Sequence, residues 1–149
     1  LMTFEDIQPG SGNVEMRMQF SIDNGSNFQT SGDYRKISFN GIENESNNSF
    51  TSRYGASEDF IAVVAAYTNT GNDAALQIDG HMYLYSMNSG AYKKTLSHMV
   101  FGQSDDPPKF VYENAAHLCD GTQSAINYIK IFMSSGNMAN GKIKLFGLA

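Results

Sequence analysis

Apolar and polar residues alternate with a period of two along this chain, in short stretches cut by glycine, asparagine and aspartate, and nothing else in the sequence restricts the possible folds as much. The clearest stretch is 14–22, where Val14, Met16, Met18, Phe20 and Ile22 would share one face of a strand and Glu15, Arg17, Gln19 and Ser21 the other. Asp23-Asn24-Gly25-Ser26-Asn27 follows, and its Asn-Gly pair tolerates two successive residues at positive φ, as a tight hairpin requires. A second strand is therefore expected to leave near Phe28. Strand-like stretches recur at 34–39, 75–78, 81–87, 95–101, 110–112, 126–133 and 142–146, with Gly41, Gly55, Gly71, Gly80, Gly90, Gly102, Gly121, Gly136 and Gly141 read as the punctuation between them.

Many short strands without βα alternation predict an all-β fold, an antiparallel β-sandwich of jelly-roll type. At 149 residues the chain can bury roughly 68–70% of its unfolded surface, enough for one domain with a developed core. Residues 57–67 read equally well as a helix, with Ser57 as cap and Phe60, Ile61, Val63, Val64 and Tyr67 at helical spacing, or as a buried strand rich in β-branched residues. Residues 44–49 are polar throughout and read as an exposed loop.

Ten Lys and Arg against fifteen Asp and Glu give a net charge of −5, the wrong sign for a general binder of nucleic acid or anionic membrane. The longest apolar run, Ile61 to Tyr67, is far short of the roughly 20 residues of a membrane-spanning helix. The opening Leu1-Met2-Thr3-Phe4-Glu5-Asp6 lacks the basic and apolar regions of a signal peptide and enters an alternating pattern at once, so the chain is expected to be either a fragment of something longer or a protein whose first residues are missing. Cys119 is the single thiol, which rules out an intrachain disulfide and fits a reducing site of synthesis.

Catalytic chemistry finds little support. His81, His98 and His117 lie at no metal-ligand spacing from one another or from Cys119. His98 and Cys119 could meet as base and nucleophile, but a lone Cys among strands is more often a small buried apolar residue. Glu58-Asp59 and Asp105-Asp106 invite a glycosidase reading, yet adjacent acids on a strand point to opposite faces, and acids beside Pro107-Pro108 commonly solvate a turn. Gly10-Ser11-Gly12 has no following helix or phosphate-binding Lys, and 23–27 lacks the later Glu of a calcium loop. The sequons at Asn24, Asn44 and Asn47 fit a chain rich in Asn and Ser. Eight Tyr and ten Phe could stack on sugars or dock proteins, although Trp is absent. No catalytic residue, metal or cofactor is expected.

Three stretches resemble bacteriophage virion proteins of the tail-fibre and head-decoration type. The first runs from Phe4-Glu5-Asp6-Ile7-Gln8-Pro9 through Met16–Phe28 to Ser31-Gly32-Asp33-Tyr34, where such proteins commonly show an alternating strand ending in S-x-D-G-G-S-x-F and Asn24 replaces the first Gly. The second is Ile78-Asp79-Gly80-His81-Met82-Tyr83-Leu84-Tyr85 followed by Ala91-Tyr92-Lys93-Lys94, a Gly-started strand and a Tyr-Lys turn. The third, Ile126 to Leu148, is similar to a strand, S-S-G-x-hydrophobic-x-x-G and a final strand closing on L-Y-G, with Phe146 in place of Tyr. The same resemblance makes 60–66 a strand.

The resemblance implies a non-enzymatic virion structural protein, made in the cytoplasm of a bacterial host, that binds other virion proteins and forms a homo-oligomer, a trimer. Its leading role is a tail-fibre or receptor-binding domain touching a host-surface glycan or protein; the alternatives are a capsid head-decoration protein and, less favoured, a free carbohydrate-binding module. Neither nucleic acid nor membrane insertion is expected. Met16, Met18, Phe20, Ile129, Ile131, Ile143 and Leu145 are expected to point into one core.

Overall fold

Antiparallel pairing accounts for every ladder in the computed structural model, which describes residues 1–30, 32–43, 49–64, 76–103 and 109–147. Among the described residues ten strands make two sheets: β1 (Met2–Pro9), β2 (Met16–Ser21), β3 (Tyr34–Glu43), β4 (Ser49–Glu58), β5 (Ile61–Val64), β6 (Ile78–Tyr85), β7 (Lys93–Gln103), β8 (Lys109–Cys119), β9 (Tyr128–Met133) and β10 (Met138–Leu145). The larger sheet has seven strands in the order β10-β1-β6-β7-β8-β3-β4, and the smaller has three, β5-β2-β9. No α-helix occurs among the described residues. The fold is the expected all-β antiparallel sandwich.

The core lies where the small sheet covers the large one. Met16, Met18 and Phe20 of β2 are fully buried against Phe4, Met82, Met99, Phe101 and Val111, as their alternation foretold. The sheets are also joined by a hydrogen bond, the Phe20 amide donating to the Tyr34 hydroxyl at 2.9 Å. Burial raises the phenol pKa, so this oxygen stays protonated and can itself donate.

The alternation misleads at the ends of strands. Ile22 is largely exposed because β2 stops at Ser21, which folds under the turn instead. There the Ser21 hydroxyl donates to Asp23 Oδ1 at 2.7 Å and accepts the Gly25 amide at 3.0 Å. Hydrogen bonds from the Asn27 amide and side chain, with that from Ser21, hold the Asp23 carboxyl down at about 2. Asn24 and Gly25 do take positive φ, 59° and 83°. The chain beyond them forms no hairpin strand, however: Phe28 belongs to no strand, and β2 pairs with β5 and β9. One bond, Gln29 N–H to the Phe20 carbonyl at 2.9 Å, precedes the crossing into the other sheet at Tyr34.

Leu145 corrects the expected core differently. It pairs with Met2 and so shares the inner face, yet it is 64% exposed because the three-stranded sheet does not reach beneath it. Ile129, Ile131 and Ile143 are half-buried against the core. The choice between helix and strand at 57–67 resolves to strand over Ile61–Val64, and residues 65–67 lie outside the described residues. Of the polar loop at 44–49, Ser49 begins β4 and the rest lies outside them.

Five glycines read as punctuation lie inside strands: Gly41, Gly55, Gly80, Gly102 and Gly141. Gly80 shows why one of them must be glycine. Its φ is 153°, and a Cβ would stand 2.2 Å from the His98 carbonyl oxygen and 3.0 Å from the Met99 Cα, backbone atoms that cannot give way.

Candidate functional site

The inner face of β3, β8 and β7 carries polar side chains at positions where alternation calls for apolar ones. Lys36 and Glu113 form an ion pair at 2.5 Å, the carboxylate wholly enclosed. Beside it lie Ser38, Asn40, Thr95, Ser97 and His117, all buried. Thr95 Oγ1 is 3.0 Å from His117 Nδ1, and Ser97 Oγ donates to the Ala115 carbonyl at 3.3 Å. Among the described residues Ser38 Oγ and Asn40 Oδ1 find no hydrogen-bond partner, so this seam is polar without being saturated.

Burial, reinforced by the neighbouring Lys36 ammonium, pushes the His117 imidazole down to about 3 from 6.5, with the Ala62 backbone opposing the shift. His117 is therefore neutral in the folded protein at physiological pH. Below pH 6.5 the unfolded chain takes up a proton that the folded chain refuses until pH approaches 3, so stability present above pH 6.5 is lost as the pH falls. At pH 4.5 the loss from this one group should be about 2–3 kcal/mol. Urea unfolding at pH 7 and pH 4.5 should show this drop, and His117→Asn should remove most of it; equal drops in the two proteins would refute the assignment.

A second buried charge is used structurally. Lys93, wholly buried at the start of β7, donates from Nζ to the carbonyls of Ser89 at 2.6 Å, Ala91 at 2.8 Å and Gln123 at 3.3 Å, closing two loops. Where the resemblance reads a Tyr-Lys turn, Lys93 already belongs to the strand.

The nucleophile and base considered from the sequence do not meet. His98 is paired with Asn114 on the outer face, whereas Cys119 lies five residues further along β8, about 16 Å, on the inner face. Burial pushes the Cys119 thiol up to about 11. His81 and His98 lie tilted to one another at 4.9 Å between ring centroids, and Tyr83 meets His81 edge-on at 5.5 Å. Among the described residues no three His, Cys, Asp or Glu gather where they could hold a metal. Asp59 accepts the Gly32 amide at 3.2 Å, Glu58 folds over Gly55, and Gly10 donates to the Asn137 carbonyl at 2.7 Å, all turn-forming roles. Asp105 and Asp106, with the sequons at Asn44 and Asn47, lie outside the described residues.

Two apolar surfaces remain. One is a groove of about 650 Å³ along the strip of inner face that the small sheet leaves bare, walled by Leu84, Met87, Ile129, Ile131, Leu145 and Phe146. The other is the outer face of β4, β3 and β8, where Ile37, Phe39, Phe50, Tyr54, Phe110 and Tyr112 are all exposed. Register puts them together: Tyr54 opposite Ile37, and Phe50 and Tyr112 on either side of Gly41. Phe39 and Phe50 stack at 6.3 Å. Sequence reading missed this surface because β4 shows no apolar face against the core, although Phe50 and Tyr54, four residues apart, were a usable signal.

No family model, curated protein or solved structure matches the chain. The small sheet provides an internal standard for the bare aromatics. Its outer face shields Phe60 with the Arg17 guanidinium at 3.9 Å and Phe132 with the Lys130 ammonium at 4.7 Å. Cations cover these aromatics, whereas those on the outer face of β4, β3 and β8 are exposed.

Proposed function

We propose that the chain is a non-enzymatic structural domain of a bacteriophage virion, a sandwich of jelly-roll type that works by binding and assembly. The observation that carries this reading is the division of chemistry within the fold. Reactive and charged groups such as Glu113, Lys93, His117 and Cys119 are enclosed, while the surface offers a broad aromatic sheet face. Buried charges of this kind hold a scaffold in shape, and exposed apolar area of this extent marks a surface for a macromolecule. The leading role is a tail-fibre or receptor-binding domain that contacts a host-surface glycan or protein, built as a homotrimer alongside other virion proteins. The phage-like strand and turn motifs at both ends and in the middle of the chain support the virion reading.

Antibody raised against the purified chain and imaged on intact particles of the genome that encodes it should decorate the tail. Decoration of the head would replace this role with capsid cementing, and particles without label would overturn the virion reading. Binding of the isolated protein on a glycan array would support receptor contact.

A further inference from the structure

The bare outer face of β4, β3 and β8 has a shape as well as an extent. Between Phe50 and Tyr112 the strand carries Gly41, and a notch of about 460 Å³ opens over it, walled also by Phe110. Among the described residues nothing requires glycine there. Its φ is not in the positive region, and a Cβ would meet only Phe50 Cδ2, at 3.9 Å, an ordinary contact. Glycine in a strand interior weakens the strand, and where it persists without steric need it marks a place that another molecule approaches closely. Four residues along β4 from Phe50, about 13 Å, stands Tyr54, 87% exposed and the most prominent side chain of the patch. One face thus carries a notch and a knob.

We infer that this face is the site at which a second copy of the chain docks, with Tyr54 of one copy seated in the Gly41 notch of another. The inference rests on the assembly reading above and gives it a location. The area argues for a folded protein partner: six side chains exposed by 42% to 87%, at about 200 Å² each when fully bare, leave about 700 Å² of apolar surface. A monomer's largest patch is about 300–600 Å², and a stable interface needs about 800 Å² from each partner. Charge argues for a copy of this chain. A molecule of net charge −5 repels itself except through a neutral face, and charge on the outward rows of these three strands is confined to the strand ends, at Arg35 and Glu43. The patch reaches β4, which among the described residues is the last strand of its sheet, so no described strand obstructs a second sheet laid across it. A twofold pair or a closed ring of three uses every knob and every notch once.

Sedimentation equilibrium of the purified chain from 1 to 100 µM tests this. The parent chain should self-associate. Gly41→Leu, which fills the notch, and Tyr54→Arg, which charges the knob on a fully solvated side chain, should each weaken association by about 30-fold or more. Circular dichroism of both should match the parent. Leu145→Ser in the other apolar groove should associate as the parent does. Association unaltered in both face variants would overturn this face as the interface and leave the virion role intact. A parent chain monomeric at 100 µM would overturn self-docking, whereas failure of particle labelling would bear on the virion role alone.

Discussion

Met18→Asp should leave the chain without a cooperative unfolding transition at neutral pH. Met18 is fully buried in the middle strand of the small sheet, paired on one side with Ile61 and on the other with Ile131. A carboxylate there has no donor, and enclosing an unpaired polar or charged group costs several kcal/mol, a large part of the roughly 5–15 kcal/mol that holds a domain together. Met18→Leu, which keeps shape and polarity, should cost less than about 1.5 kcal/mol. Thermal melts followed by circular dichroism check both variants. A normal melt for Met18→Asp would mean that the faces of β2 are reversed.

Glu113→Ala should be the most damaging substitution on the polar inner face, costing about 3–5 kcal/mol. The carboxylate it removes is wholly enclosed, and the Lys36 ammonium left behind has only a tenth of its side chain in water. The loss reflects that stranded cation more than the worth of the pair. Lys36→Met combined with Glu113→Leu should therefore be milder than Glu113→Ala alone, because no buried charge is stranded. Urea titrations of the two variants and the parent measure this, and a double variant as unstable as the single one would show that the pair itself holds the sheet.

Much of the sandwich was legible in the sequence because burial writes a period of two wherever one face meets the core. Residues 14–22 show it, and β2 formed within them over 16–21 with Met16, Met18 and Phe20 buried. Strand β4 was not legible, since Thr51, Arg53 and Gly55 face inward and Phe50 and Tyr54 face out. That pattern inverts the usual rule. Strand β8 was seen only at 110–112, because Glu113 and His117 look like surface residues until Lys36, 77 residues earlier in the chain, and Thr95 are brought beside them. Leu145 could not be placed because strand alternation specifies a face and says nothing of how far the opposing sheet extends.

The order β10-β1-β6 also constrains how the polypeptide can fold as it is made. Strands β3 and β4, or β7 and β8, are adjacent in sequence and can close as hairpins as soon as they leave the ribosome. Strand β1 emerges before any of them, yet its neighbours are β6, more than 70 residues later, and β10, whose last ladder bond joins the Phe146 amide to the Leu1 carbonyl at 2.7 Å. Pairings this distant are slow to form, on the order of milliseconds to seconds, and Met2, Phe4 and Ile7 stay open to water at least until β6 has been translated. The interval between the first strand's synthesis and its capture is thus the stretch of this protein's life most exposed to misassembly.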